Sequence, residues 1–105
     1  MAERSLNPLI TPTELAGRIR EGKAPVMIDV REVDEFAEGH IPGAINLPLS
    51  NFTNLYQQIP KDQEVALICR SSNRSGRAHE FLVQQGWQLL RNMSGGMLSW
   101  QGPVE

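Results

Sequence analysis

The chain has 105 residues, 40% of them apolar and 21% charged, and its formal net charge is −2. These values predict a folded globular chain and exclude one that is disordered over most of its length. The charge balance gives no support to a nucleic-acid partner, which would usually need a basic face. We therefore expect one domain over residues 1–105, with its core at about 9–103.

Cys69 is the only cysteine, so the sequence excludes an internal disulfide and a metal site built from several cysteines. The two histidines, His40 and His79, are too few and too far apart to suggest a metal centre. Residues 1–5 lack the organisation of a signal peptide, and no apolar run is long enough to span a membrane. We expect a soluble cytoplasmic protein that binds no metal, no membrane and no nucleic acid.

The N-terminal segment up to Ile10 is predicted to be extended, and a helix is predicted to follow it. Thr11 would be the N-cap, Pro12 the first helical residue and Glu14 the partner that closes a capping box. Gly22 would stop this helix.

The remaining elements alternate between apolar spacing typical of strands and apolar spacing typical of helices. Strands are predicted at 26–30, 44–47, 65–69 and 87–90. Helices are predicted between them at 32–38, 50–59 and 74–85, and a glycine turn with a short helix follows at 94–100. The apolar stripe in 50–59 is predicted to be core. This alternation predicts an α/β fold with a central, mostly parallel sheet flanked by helices on both faces. Ligands bind at the carboxyl ends of such strands, and Cys69 closes the strand at 65–69.

Three residues that are distant from Cys69 in the sequence, Asp29, Arg31 and His40, are expected to support the structure. Asp29 lies inside an apolar strand, so its carboxylate needs a donor or cation nearby, and Arg31 is one candidate. His40 lies among turn-forming residues, where a histidine more often bonds the backbone of a tight turn than acts as a general base.

The loop after Cys69 is where the sequence predicts chemistry. Arg70 and Arg74 would favour the thiolate over the thiol, and a helix N-terminus near Ser75 would add to that effect. The small residues Ser71 and Ser72 allow a tight bend that turns successive N–H groups inward. A reactive cysteine is therefore favoured over a buried apolar filler.

The residues nearby narrow the reactions that such a thiolate could perform. A hydrolase of the Cys–His type would need an activating histidine, and a dithiol oxidoreductase would need a second cysteine. Two covalent routes remain at this point, namely phosphoryl transfer through a cysteinyl phosphate and sulfur transfer through a persulfide.

The chain resembles the rhodanese-like single-domain sulfurtransferases from about Leu9 to Pro103. Four stretches carry the resemblance: residues 28–31, residues 35–46 with their Gly-His-Ile-Pro-Gly-Ala run, residues 69–75, and residues 95–100. Their order and spacing together are specific to that family.

The resemblance implies that Cys69 carries a persulfide, with no metal or organic cofactor. Four residues separate Cys69 from Arg74, as in sulfurtransferases of this family, whereas the related phosphatases have one residue more to hold a tetrahedral phosphate. The implied substrate-binding residues are those of the loop, Arg70, Ser71, Ser72, Asn73, Arg74 and Ser75. The basic loop resembles that of enzymes using thiosulfate. Many relatives have glycine where this chain has Ser72, so a positive φ there would strain the serine.

The resemblance leaves two alternatives beside a thiosulfate sulfurtransferase. One is a sulfur carrier that relays a persulfide between partner proteins without turnover of its own. The other is a phosphatase or arsenate reductase, which the short loop disfavours. The expected partners are a small sulfur donor, a thiophilic acceptor and, for a carrier, a sulfur-relay protein.

Overall fold

The structure, a computed structural model, describes residues 7–105. Its strands are β1 (Leu9–Ile10), β2 (Val26–Asp29), β3 (Ile45–Asn46), β4 (Val65–Ile68) and β5 (Leu90–Met93). Its α-helices are α1 (Pro12–Arg20), α2 (Val33–Glu38), α3 (Phe52–Leu55) and α4 (Asn73–Gln84), with short 3-10 helices at Leu49–Asn51, Tyr56–Gln58 and Gly96–Ser99. Within this described part, no helix has both the length and the apolar character needed to cross a bilayer.

The five strands form one sheet in the order β1-β5-β4-β2-β3, and every pairing in it is parallel. This confirms the predicted parallel α/β architecture. Because the strands run the same way, their carboxyl ends meet at one edge of the sheet. Strand β4 lies in the centre, so Cys69, which directly follows it, sits in the middle of that edge.

Both faces of the sheet are covered by apolar side chains. Leu67 of β4 packs into a cluster with residues of α3 and α4, such as Phe52 and Leu82. Its neighbour Ile68 packs into a second cluster with Leu15 of α1 and with Trp100. Successive residues of a strand point to opposite faces, so one short apolar run supplies both clusters. The prediction that helices flank both faces is confirmed.

Helix α1 begins as predicted from its capping residues. The Thr11 Oγ1 atom accepts a hydrogen bond from Glu14 N at 3.0 Å, and the helix ends at Arg20, shortly before Gly22 with its φ of +73°. The carboxylate of Glu14 accepts from the Arg91 guanidinium instead of closing the predicted capping box. The extended lead-in is seen only as β1, since residues 1–6 lie outside the described residues.

Two predicted elements are wrong in extent. The helix expected over 50–59 is broken into α3 between two 3-10 helices, because Asn51 and Leu55 have φ near −120° and interrupt the α-helical ladder. The strand expected over 87–90 begins only at Leu90. Trp87 instead ends the turn after α4 and donates from Nε1 to the Pro60 carbonyl at 3.1 Å. The apolar stripe of 50–59 still packs in the core.

Candidate active site

The Cys69 loop is the short connection between β4 and α4. Strand β4 ends at Ile68 and α4 begins at Asn73, so the chain reverses within four residues. Ser72, the N-cap of α4, has φ 78° and ψ 0°, and it is the only non-glycine residue with positive φ among residues 7–105. This left-handed conformation turns the chain from the strand into the helix. The strain expected of a serine at this position is therefore present.

The Cys69 sulfur lies beneath the loop, and the residue is only 1% exposed. The backbone N–H of Ser72 donates to Sγ at 2.9 Å, and the Ser75 hydroxyl lies 3.2 Å from Sγ. Ser75 itself is completely buried. The first N–H groups of α4, from Asn73 onward, have no partner within the helix, and they point out of its N-terminal end, where the Cys69 loop lies. Negative charge placed on this sulfur would thus be stabilised by the Ser72 N–H and by the N-terminus of α4.

The Arg74 side chain is hydrogen-bonded to a carboxylate. Its two terminal nitrogens donate to Glu35 of α2 at 2.7 and 2.9 Å. This hydrogen-bonded guanidinium lowers the pKa of Glu35 to about 2 and raises the pKa of Arg74. The pair joins the loop to α2, and the predicted role of Arg74 in binding a substrate stays a prediction. Glu35, which sequence analysis left without a role, is the residue that was missed.

Arg70 differs from Arg74 in this respect. It is exposed, and among residues 7–105 it forms no ion pair. Ser71 beside it and Asn73 at the start of α4 are exposed as well. Among residues 7–105, Arg70 is therefore the loop arginine that has no carboxylate partner.

The turn at Gly95 and Gly96 holds the loop from the other side. Met97 N donates to the Cys69 carbonyl at 2.8 Å, and Leu98 N donates to the Arg70 carbonyl at 3.0 Å. A Cβ at Gly96 would lie 2.6 Å from the Cys69 carbonyl oxygen and closer still to that of Arg70. Glycine is required there because the two backbones touch. The double glycine was visible in the sequence, but its contact with the Cys69 loop was not.

Asp29 and Arg31 form the buried ion pair at the end of β2. Arg31 Nε and Nη2 donate to the Asp29 carboxylate at 3.0 and 2.8 Å, and Arg31 Nη2 also donates to the Gly39 carbonyl at 2.8 Å. Asn46 Nδ2 donates to the carbonyls of Asp29 and Arg31. The carboxylate thus has the cation that its complete burial requires, and the pair braces the strand ends beside the loop.

His40 bonds the backbone of its own turn. Its Nδ1 lies 2.8 Å from the Phe36 carbonyl oxygen, its ring stacks on Phe36 at 3.8 Å, and its Nε2 faces Glu105 at 3.8 Å. Both ring nitrogens have partners other than Cys69, which fits the structural role expected of this residue.

Asn92 of β5 is a further residue beside the sulfur that sequence analysis missed. Its Oδ1 accepts from the buried Ser75 hydroxyl, and its Nδ2 lies 3.3 Å from the Ser72 carbonyl oxygen. The only signal in the sequence was a pair of polar residues, Arg91 and Asn92, between the apolar residues Leu90 and Met93. That signal could not be used, because β5 was placed three residues too early.

These groups together suit a thiolate that forms a covalent intermediate. The sulfur has a backbone donor and a helix N-terminus but no histidine partner, so it is suited to attack a substrate whose leaving group needs no proton. The loop is fixed on two sides, by the Glu35–Arg74 pair and by the turn at Gly95 and Gly96.

Comparison with known proteins assigns the class. The model of the rhodanese-like domain family matches residues 11–103. The chain therefore belongs to the rhodanese-like domain family. A sulfurtransferase of Allochromatium vinosum is 35% identical over 91 residues, which are 87% of this chain and 85% of that protein. The family membership and this relative support a transferase.

Two further proteins similar to this chain are a solved structure and a protein named for sulfur carriage. The crystal structure of a rhodanese-related protein from Thermoplasma volcanium has a TM-score of 0.84 and 33% identity, and the match covers 94% of this chain and 98% of that one. A candidate sulfur carrier protein of Bacillus subtilis, YrkF, is 33% identical over 79 residues, which are 75% of this chain and 43% of that protein. The family thus includes relatives named for sulfur transfer and for sulfur carriage.

Proposed function

We propose that the chain is a sulfurtransferase that accepts sulfane sulfur from thiosulfate or a similar donor on Cys69 and passes it to cyanide or a thiol. The observation that carries this proposal is the backbone N–H of Ser72 directed at Cys69 Sγ at 2.9 Å. A preorganised donor stabilises the negative charge of a thiolate or persulfide sulfur without any rearrangement. The four-residue spacing between Cys69 and Arg74 supports a cradle sized for sulfur.

The reaction balances in two displacement steps. The Cys69 thiolate, its proton having passed to solvent, attacks the terminal sulfur of thiosulfate. A new S–S bond forms, the S–S bond of thiosulfate breaks, and sulfite leaves with the bonding electron pair. Cyanide or a thiolate then attacks the outer sulfur of the persulfide, which gives thiocyanate or a new persulfide and restores the Cys69 thiolate. In both steps the transferred sulfur bonds to the attacking nucleophile as its old bond breaks, so neither step calls for an added oxidant or reductant.

Arg70 is the residue that we propose recognises the anionic end of the donor. It is exposed beside Cys69, whereas the charge of Arg74 is paired with Glu35. A free guanidinium attracts a dianion such as thiosulfate and binds its sulfonate oxygens. A reducing compartment such as the cytoplasm suits this cycle, because Cys69 has to return to a free thiolate.

The test combines mass measurement with turnover. Wild type incubated with thiosulfate is expected to gain one sulfur by intact mass spectrometry and to form thiocyanate when cyanide is added. Cys69→Ser is expected to do neither. Arg70→Gln is expected to raise KM for thiosulfate about tenfold, because one charge-assisted contact is lost. A wild type that gains no sulfur, or a Cys69→Ser variant with equal turnover, would show the proposal to be wrong. Hydrolysis of an aryl phosphate that Cys69→Ser abolishes would instead indicate a phosphatase.

A sulfur carrier is the second candidate, and its support is the relationship to YrkF. In that case Cys69 would receive sulfur from a protein donor and deliver it to a protein acceptor. Efficient persulfide formation from a desulfurase, together with negligible thiocyanate formation from thiosulfate, would favour the carrier. Fast turnover of thiosulfate at millimolar concentration would favour the enzyme.

A further inference from the structure

The side chain of Asn92 contacts both groups that lie against the Cys69 sulfur. Its Oδ1 accepts from the Ser75 hydroxyl, which is 3.2 Å from Sγ. Its Nδ2 lies 3.3 Å from the carbonyl oxygen of Ser72, the residue whose N–H donates to Sγ. One side chain on β5 therefore connects two hydrogen-bond partners of a sulfur that follows β4.

The orientation of the Asn92 amide follows from its neighbours. The Ser72 carbonyl oxygen can only accept a hydrogen bond, so the amide nitrogen has to face it. The amide oxygen then faces Ser75, and the Ser75 hydroxyl proton lies on the bond to Asn92. The remaining lone pairs of Ser75 are left toward Sγ, where they accept from the thiol in its protonated state. The hydroxyl therefore has one fixed direction.

We propose that Asn92 is a positioning residue for Cys69, acting through Ser75 and Ser72, a role that rests on the proposed sulfur transfer. Ser72 is held in a left-handed conformation that serine does not favour, so an added contact at its carbonyl restrains the loop. Ser75 is completely buried, and without Asn92 its hydroxyl would turn toward another acceptor. The first change shifts the Ser72 N–H that donates to Sγ, and the second lets the Ser75 hydroxyl rotate, so the groups around the attacking sulfur are no longer held in one arrangement.

The test is a double-mutant cycle on the rate of persulfide formation. The variants are Asn92→Leu, which keeps a similar volume, Ser75→Ala and the combination of both. Asn92→Leu is expected to lower the maximal loading rate about tenfold and to leave KM for thiosulfate within about twofold. In the Ser75→Ala background the same substitution is expected to lower the rate by no more than about threefold, because its main partner is already gone. Asn54→Leu, the same change on an exposed surface, is the control.

An unchanged rate in Asn92→Leu, or an equal tenfold loss in both backgrounds, would overturn the proposal. Alkylation of Cys69 by iodoacetamide provides a second readout that needs no sulfur donor. If wild type gains no sulfur from thiosulfate, the proposed function fails, while non-additive alkylation rates in the same four proteins still support Asn92 as a positioning residue. Additive alkylation rates would refute it. Urea unfolding confirms that each variant is folded, and Asn92→Ala replaces Asn92→Leu if the larger side chain prevents folding.

Discussion

Ser72 combines a backbone role with an unfavourable conformation. Its N–H is the donor closest to the Cys69 sulfur, and that donor is in place because the residue adopts φ 78°. A serine in the left-handed region is less stable than a glycine by about 1–2 kcal/mol. Glycine loses more entropy on folding, which offsets about 0.5–1 kcal/mol of that difference. The Ser72 side chain is not needed for the hydrogen bond to sulfur.

Ser72→Gly is therefore expected to raise the free energy of unfolding by about 0.5–1 kcal/mol. The persulfide loading rate should stay within about twofold of wild type, since glycine retains the N–H. Urea unfolding and thiosulfate loading check the two parts. Ser71→Gly is the matched control, because Ser71 has no positive φ and the change should be neutral or slightly destabilising. A loss of stability in Ser72→Gly would contradict the strain assigned to this position.

The residues of the site differ in how far the sequence could predict them. The cysteine at a strand end and the strained position of Ser72 follow from local patterns and from the resemblance to rhodanese-like proteins. The partners of Arg74 and Ser75 do not, because Glu35 and Asn92 lie 39 and 17 residues away along the chain. Side-chain pairing over such distances depends on how the elements pack, which periodicity does not encode.

At the scale of elements, the 3-10 helix Gly96–Ser99 is as important to the loop as α4 is. It contributes two backbone donors to the carbonyls of Cys69 and Arg70, and its approach depends on the absence of a side chain at Gly96. Gly22 provides a contrast, since its φ is also positive but no atom lies within 4 Å of a Cβ built there. The two glycines separate the effect of conformation from that of close contact.

Gly96→Ala is expected to lower the free energy of unfolding by about 2–3 kcal/mol, since it adds a backbone clash to the cost of a left-handed alanine. The displaced Cys69 carbonyl should also slow persulfide loading by at least tenfold. Gly22→Ala is expected to lose only about 1 kcal/mol and to keep the loading rate. Urea unfolding and intact mass measurement compare the variants. Equal losses in the two variants would show that contact with the Cys69 loop is not the cause.

The predicted elements failed where apolar spacing alone was used. The stripe that ends at Ile59 packs in the core as predicted, yet its backbone is not a continuous helix, because a similar spacing is satisfied by α and 3-10 turns in succession. Strand β5 contains Arg91 and Asn92, and two polar residues in sequence argue against a buried strand. Arg91 is buried and Asn92 half-buried, and both polar side chains have hydrogen-bond partners on other elements.

At the scale of the molecule, ion pairs connect elements that are distant in sequence. Glu64, just before β4, accepts from Arg18 of α1 at 2.7 and 2.8 Å and from Arg91 of β5 at 3.2 Å. The hydrogen bonds from Arg18 lower the pKa of Glu64. This group lies toward the amino ends of the strands, and the Glu35–Arg74 pair lies at the carboxyl ends beside Cys69. Each end of the sheet is therefore held by a carboxylate that must stay ionised.

This arrangement predicts that acid weakens the fold. The pKa of Glu35 is about 2 in the folded protein, below its ordinary value of 4.5, so the unfolded chain binds more protons between these limits. Its contribution is complete above about pH 4.5 and is lost as pH falls toward about 2. Because the pair is 31% and 29% exposed, we expect it to contribute on the order of 1 kcal/mol.

Glu35→Gln should therefore lower the free energy of unfolding by about 1 kcal/mol at pH 7, and its difference from wild type should shrink toward zero near pH 2. Urea unfolding at several pH values between 2 and 7 measures that difference directly. Glu38→Gln, at the exposed end of the same helix, is the control and should change stability by less than about 0.5 kcal/mol at pH 7. A difference between Glu35→Gln and wild type that stays constant down to pH 2 would contradict the ion pair as its cause. Because the same substitution releases Arg74 from α2, slower persulfide loading at pH 7 would connect the stability of the fold to the geometry of the Cys69 loop.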